Sequence, residues 1–232
     1  MKEKILIVDD EKEISELLAI YLNNEGYDVE KAFDGKEALE KIKANPPDAM
    51  ILDIMLEDLD GFSLCQKIRE NYFFPILMLT SKIDFGDKIL GLTVGADDYM
   101  TKPFNPLEVV ARVKTQLRRS GRYNQGIGGP EEEISVRGLV INKREHKCTL
   151  NEKPLSLTPI EFEIVWYLCE HMGDVVSSEA LFEAIWREKY MDNNNTVMAH
   201  IGRIREKMHD SGRHAKYIKT VWGVGYRWKI NN

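Results

Sequence analysis

Between Lys4 and Arg119 the chain alternates short apolar runs with amphipathic helical patterns five times over. The runs Lys4–Val8, Asp28–Phe33, Ala49–Ile54, Pro75–Thr80 and Asp98–Thr101 are each followed by a helical period, over Glu13–Glu25, Lys36–Ala44, Phe62–Asn71, Asp87–Val94 and Pro106–Arg119. Parallel neighbours need crossover connections, so five strand-then-helix units predict one parallel sheet with helices on both faces. Ile5-Leu6-Ile7-Val8 and Ile76-Leu77-Met78-Leu79 are apolar without a break, as strands covered on both sides must be. About 120 residues of this kind suit a flavodoxin-like (βα)5 fold with a five-stranded parallel sheet.

The remaining chain is patterned differently. Residues 121–133 carry four glycines and a proline with no apolar period and read as a flexible linker, able to reach roughly 40 Å when extended. Beyond it, Ile134–Val136, Leu139–Asn142, Lys147–Leu150 and Pro154–Leu157 predict short antiparallel strands, with Asn151-Glu152 as a hairpin turn. Thr158, Pro159 and Glu161 form a helix-start signature for a helix running to about His171 and closed by Gly173. Ser177 or Ser178 opens a second helix over Glu179–Glu188. A third spans about Asn194 to His209, and Tyr217–Ile230 folds back as a hairpin around Gly223-Val224-Gly225. Three helices and a hairpin predict an α+β winged helix over 134–232.

Of the 232 residues, 43% are hydrophobic and 30% charged, which excludes wholesale disorder. No apolar run approaches the roughly 20 residues that span a bilayer, and Ile5–Val8 runs into two aspartates instead of a cleavage site, so no membrane association is expected. Cys65, Cys148 and Cys169 are odd in number and lack metal spacing, which fits a reducing cytoplasm. Charge is uneven: residues 1–120 hold 16 Lys/Arg against 23 Asp/Glu, whereas residues 190–232 hold 8 against 3. A polyanion would bind that basic end.

Function in an open parallel sheet gathers at the carboxyl ends of the strands. Asp9 and Asp10 end the first strand, Asp53 the third, Thr80 the fourth and Lys102 the fifth. Three carboxylates on one edge repel one another, so either some protonate or a hard cation such as Mg²⁺ screens them. Asp53, framed by Ile51, Leu52 and Ile54, is the best-held nucleophile for forming an acyl phosphate. Lys102 would offset charge on the phosphoryl oxygens, and Thr80 could donate its hydroxyl to one.

Asp9-Asp10-Glu11, Ile51–Leu56, Leu79-Thr80, Gly95–Tyr99 and Lys102-Pro103-Phe104 resemble the receiver domain of two-component response regulators across residues 1–120. The resemblance implies a phosphoacceptor at Asp53, an acidic metal pair in Asp9 and Asp10, a backbone-carbonyl metal ligand at Met55, and a phosphate-contacting Lys102 before a cis peptide to Pro103. It makes Thr80 and Tyr99 paired switch residues. The sequence departs from the family at Glu57, where a proline is usual nearby, adding charge and mobility beside the pocket, and at Ser81, where a smaller residue is frequent.

Leu157–Phe162 and Thr220–Tyr226 resemble the OmpR/PhoB-type DNA-binding domain. A narrower likeness, carried by Leu157–Glu161 and Lys216–Tyr226, is to regulators of glycopeptide resistance, with another cell-envelope or nutrient response as the alternative. The resemblance implies a sensor histidine kinase as phosphoryl donor, a homodimer when phosphorylated, tandem repeats in promoter double-stranded DNA, and contact with RNA polymerase. Expected at a dimer face are Ile89, Leu92, Ala111 and Asp98, with Lys88 and Glu108, and Asp97 and Arg112, as cross-subunit pairs. On the third helix His200, Arg203 and Lys207 share a face expected in the major groove, with Arg205 at its edge and Val197, Ile201, Ile204 and Met208 opposite. Asn194, Asn195 and Thr196 at its start are expected on a phosphate. The resemblance adds Lys219, Thr220 and Arg227 at the wing. Gly202 stands where a basic residue is common, and Trp222, in place of a frequent arginine, is expected to pack against the wing first and stack on sugar second.

Two enzyme-like readings compete. A haloacid-dehalogenase-type phosphatase needs a second aspartate two residues after its nucleophile, where this chain has Met55. A nucleotide-binding module needs a glycine-rich phosphate loop after the first strand, where this chain has Asp9-Asp10-Glu11.

Overall fold

The computed structural model describes residues 2–81, 95–121, 133–187, 189–190, 196–210 and 215–230. The chain divides into two compact units, Met1–Ser120 and Gly121–Asn232.

The first unit carries β1 (Lys4–Val8), α1 (Lys12–Asn24), β2 (Asp28–Ala32), α2 (Gly35–Ala44), β3 (Ala49–Asp53), α3 (Gly61–Arg69), β4 (Ile76–Thr80), β5 (Asp98–Thr101) and α4 (Pro106–Gly121). The helix expected over Asp87–Val94 lies outside the described residues. The sheet is parallel throughout, in the order β2-β1-β3-β4-β5, which is the doubly wound flavodoxin-like arrangement. Alternation along the strands splits the apolar residues between two layers. Ile5, Ile7, Ile51, Leu77 and Leu79 pack with Leu18 and Leu22 of α1 and Val109, Val113 and Leu117 of α4. Leu6, Val8, Met50, Leu52, Ile76 and Met78 pack with Ala38 and Ile42 of α2 and Leu64 and Ile68 of α3. Every central strand is therefore fixed from both sides, and its final residue is held on a rigid edge.

In the second unit β6 (Glu133–Val136), β7 (Leu139–Asn142), β8 (Lys147–Leu150) and β9 (Lys153–Pro154) form an antiparallel sheet in sequence order. Asn151 and Glu152, both at positive φ (50° and 66°), make the turn between β8 and β9; such left-handed pairs match the twist of a two-residue hairpin. Then come α5 (Pro159–Glu170), β10 (Val176–Ser177), α6 (Ser178–Trp186), α7 (Thr196–Lys207), β11 (Ile218–Val221) and β12 (Gly225–Trp228). Thr158 and Glu161 complete a reciprocal capping box at the start of α5, and Ser177 caps α6. Leu168, Leu181, Ile185, Ile201, Ile204 and the fully buried Trp228 join the three helices to the hairpin in one core.

The two-residue strand β10 was not legible in the sequence. It pairs with β12 and converts the hairpin into a three-stranded sheet, β10-β12-β11. Gly225 permits that pairing, since a Cβ there would lie 2.0 Å from the Val176 carbonyl oxygen.

Candidate functional site

The parallel sheet delivers four strand ends to one edge. Asp9 follows β1, Asp53 ends β3, Thr80 ends β4, and Lys102 follows β5. Asp9, Asp53 and Thr80 are buried. Lys102 Nζ lies 2.6 Å from Asp53 Oδ2, 3.1 Å from Asp9 Oδ2 and 3.0 Å from Glu11 Oε1. Asp9, Asp10 and Asp53 each bring a carboxylate oxygen within 4.8 Å of the others. One ammonium thus stands among four acids.

That imbalance shows in the ionisation of the groups. Burial, and then the nearby charge of Asp53, push the Asp9 carboxyl up to about 6. For Lys102 burial works against the charge, but its bonds to Asp53 and Glu11 outweigh it and hold the ammonium well above its ordinary value. Three clustered hard oxygen donors are the chemistry a small divalent cation takes.

The surrounding backbone is shaped to keep this edge in place. Met55, half exposed at 51%, donates its N–H to Asp53 Oδ1 at 3.1 Å. Gly61 lies against the strand end: a Cβ there would sit 2.4 Å from the Asp53 carbonyl oxygen and 2.7 Å from Ile54 Cα. Asp58 accepts from Gly35 N at 2.8 Å and Lys36 N at 3.2 Å, so the loop that carries the exposed Glu57 is bonded to the start of α2 next to it. Ser81 is exposed just after β4. The Lys102–Pro103 peptide is cis. Tyr99, on β5, is half-buried and packs against the α2–α3 layer.

Several residues fall elsewhere than the sequence suggested. Lys88, Ile89 and Leu92 lie outside the described residues. Asp97 is fully buried and accepts from Arg69 at 2.7 Å and from Ile76 N at 2.9 Å. The pairing of Asp97 with Arg112 across subunits is therefore overturned: a surface guanidinium cannot reach a carboxylate folded under its own sheet edge. Arg112 instead pairs with Asp98 at 2.8 Å and Glu108 at 3.0 Å in its own chain. Glu108 and Ala111 are exposed on α4.

In the second unit the apolar side of α7 is as expected, with Val197, Ile201, Ile204 and Met208 buried. The basic side is not. His200 and Arg203 are buried at 0% and 7% exposure, and Arg203 meets His200 Nδ1. Arg203 Nε lies 3.5 Å from Glu161 Oε1, and Lys207 Nζ lies 2.5 Å from Glu161 Oε2. The expected exposed face of His200, Arg203 and Lys207 is thus corrected: a buried carboxylate on α5 draws that stripe inward. The outward side of α7 is Met198, Gly202, Glu206 and, half-buried, Arg205.

Arg205 donates to Ile218 O and to Thr220 Oγ1, both at 2.8 Å, so these two expected DNA contacts hold each other and tie α7 to the hairpin. Asp210, also unnoticed in the sequence, accepts from Lys216 N, Tyr217 N and Ile218 N at 2.6–3.2 Å. Thr196 opens α7 but is buried; Asn194 and Asn195 lie outside the described residues. Lys219 and Arg227 face each other across β11 and β12, a like-charge pair that favours an anion nearby. Trp222 is 90% exposed at the hairpin tip, so the expectation that it packs against the wing is overturned; Gly223 at φ 72° turns the chain beside it.

A carboxylate-rich edge of a doubly wound parallel sheet and a winged helix on one chain are the two parts of a DNA-binding response regulator. Residues 5–114 match the response regulator receiver domain, and residues 152–228 match the C-terminal domain of transcriptional regulatory proteins. The chain belongs to the OmpR/PhoB family of DNA-binding response regulators. It is 59% identical over 227 residues to the regulatory protein VanRc of Enterococcus gallinarum, covering 97% of this chain and 98% of that protein. To the regulatory protein VanR of Enterococcus faecium it is 56% identical over 229 residues, 98% of this chain and 99% of that one. Among solved structures it is similar to a mutant of RitR, with TM-score 0.75 and 25% identity over 97% of this chain and 98% of that chain. It is also similar to DrrB of Thermotoga maritima, an OmpR/PhoB homologue, with TM-score 0.51 and 33% identity over 99% of this chain and 100% of that chain. Among the described residues no helix is long and apolar enough to cross a membrane.

Proposed function

We propose that Asp53 is the phosphoacceptor of this regulator and that a sensor histidine kinase is its donor. The observation that carries the reading is the ring of Asp53, Asp9 and Glu11 around the Lys102 ammonium on the end of a parallel sheet. A carboxylate oxygen of Asp53 attacks phosphorus, the donor's bond to phosphorus breaks, and an acyl phosphate forms. Asp9, Asp10 and Asp53, with the Met55 carbonyl, would hold Mg²⁺. When bound, that ion supplies positive charge for the phosphoryl oxygens. Lys102 leaves its carboxylates for the new phosphoryl group, Thr80 donates its hydroxyl, and Tyr99 moves into the space Thr80 vacates. After acceptance the chain hydrolyses its own acyl phosphate, water taking the phosphoryl group and freeing the Asp53 carboxylate.

Residues 1–120 then act as the receiver, 121–133 as the linker and 134–232 as the DNA-binding domain. Receivers pair through a face that includes Lys88, Ile89, Leu92, Asp98, Glu108, Ala111 and Arg112, so the Asp98–Arg112 and Glu108–Arg112 bridges seen within one chain exchange partners. The linked winged helices bind tandem promoter repeats through the amino end of α7 with Asn194, Asn195 and Thr196, and through Lys219, Arg227 and Trp222 on the wing, and recruit RNA polymerase. The names of the two Enterococcus relatives support glycopeptide-resistance genes as targets. A cytoplasmic setting fits a DNA-binding chain that has no apolar spanning helix among the described residues.

The test is incubation with acetyl phosphate or beryllofluoride plus Mg²⁺, comparing wild type with Asp53→Ala by intact mass, sedimentation and promoter binding. A single adduct, dimerisation and tighter promoter binding are expected in the wild type alone. Equal promoter binding by both proteins, with no adduct on either, overturns the reading.

A further inference from the structure

The winged-helix unit buries a carboxylate that neither phosphorylation nor helix capping accounts for. Glu161 is fully buried at the third position of α5. It accepts from Thr158 N at 2.9 Å, completing the capping box, and holds Lys207 and Arg203, one helical turn apart on α7. A glutamine would complete the same capping box without charge. Taking a carboxylate out of water is costly unless cations meet it there, so the charge at position 161 is explained by α7.

The two cations differ in what they can do. Arg203 is buried and also touches His200, which in turn packs 5.4 Å from the Trp186 ring. The Lys207 side chain keeps 26% of its exposure, and a lysine has a flexible stem whose ammonium readily returns to solvent. It sits in the last turn of α7, the helix whose amino end meets DNA under the reading above, on which this inference rests.

We propose that Glu161 is a positioning residue for DNA reading, which withholds Lys207 from the phosphate backbone and so limits the sequence-independent grip of α7. Arg203 stays fixed, and discrimination then falls to groups at the amino end of α7 and on the wing. Each phosphate neutralised contributes about −0.9 to the slope of log affinity against log salt. A lysine held by Glu161 contributes nothing to that slope.

The experiment measures binding of the full-length chain to a short random-sequence duplex over a range of salt concentrations, with thermal melts as a check on folding. Glu161→Gln keeps the cap and removes the charge; its slope should steepen by about one, with tighter binding at low salt. Lys207→Met in the otherwise unchanged chain should leave the slope where it is. A folded Glu161→Gln protein with the wild-type slope makes the carboxylate purely structural and overturns the proposal. So does a Lys207→Met protein whose slope falls by about one, because Lys207 would then already lie on DNA; that measurement decides the matter alone if Glu161→Gln does not fold. Absence of any duplex binding by the wild type would defeat the DNA-binding reading first, a result distinct from either of these.

Discussion

The receiver and the winged helix both bury ions, in opposite proportions. Around Lys102 the receiver gathers Asp9, Asp53 and Glu11, with Asp10 close by, so acid is in excess. Around Glu161 the winged helix gathers Arg203 and Lys207, so base is in excess. An acidic excess at an open strand edge is unsatisfied until a cation arrives, which makes the site responsive. A basic excess closed over by α5 and α7 is settled within the fold, which makes the site a fastener. The same residue types therefore form an open acidic edge in one unit and a closed ion cluster in the other, and the difference lies in which sign is in surplus and whether the edge is open.

The most severe way to break this comparison is to remove the ammonium that stands among the acids of the receiver edge, Lys102. Lys102→Met leaves buried carboxylates facing one another, and loss of one partner of a buried pair costs about 3–5 kcal/mol. Thermal unfolding in EDTA should show that loss in the receiver, and added Mg²⁺ should restore much of it. Equal melting of mutant and wild type in EDTA would mean the acids are not in excess.

A second probe lies in the winged helix. The His146 ring centroid lies 4.0 Å from that of Phe162, with the rings tilted by 42°, and burial lowers its imidazole from 6.5 to about 4. Above pH 6.5 the ring is neutral in both folded and unfolded chains and its contribution is complete. Between about 6.5 and 4 the unfolded chain takes up the proton first, so stability falls by up to about 3 kcal/mol. His146→Asn, which tolerates the positive φ of 49° there, should flatten the profile over that interval even if it lowers the whole curve. Denaturation midpoints measured across the range give the shape directly.

Metal addition sharpens the contrast from the other side. Mg²⁺ at a hundredfold excess over its dissociation constant should stabilise the receiver by about 2.7 kcal/mol. The winged-helix transition should not move, and Asp10→Asn should weaken the receiver's response. A shift of both transitions would show that the ion acts on the chain in general and not on the acid edge. The smallest effect is expected at the wing tip. Trp222→Ala should change the melting temperature by the equivalent of less than about 0.5 kcal/mol while weakening DNA binding, because the ring is exposed and packs on little of its own domain.

Much of this is legible in the amino-acid sequence. The continuous apolar runs of β1, β3 and β4 imply a sheet covered on both faces, and the positions of Asp9, Asp53, Thr80 and Lys102 at strand ends bring the acid site to one edge. The cap at Thr158-Glu161 was also legible, because helix starts are local. What could not be read was the second use of Glu161. Spacings of three and four correctly put His200, Arg203 and Lys207 on one side of a helix, but periodicity does not say what stands opposite that side, and α5 had put a carboxylate there. The same limit hid Asp97 behind Arg69, Asp210 beneath the start of β11, and the short strand β10.

The sequence by itself determined the alternation, the strand-end residues and the helix starts, because each depends on neighbours within a few residues along the chain. Only the tertiary structure decided which charged side chains face solvent and which face one another. That choice is made between segments far apart in sequence, such as Lys102 with Asp9 and Lys207 with Glu161, where the cost of burying a charge is offset only by a partner brought in by the fold.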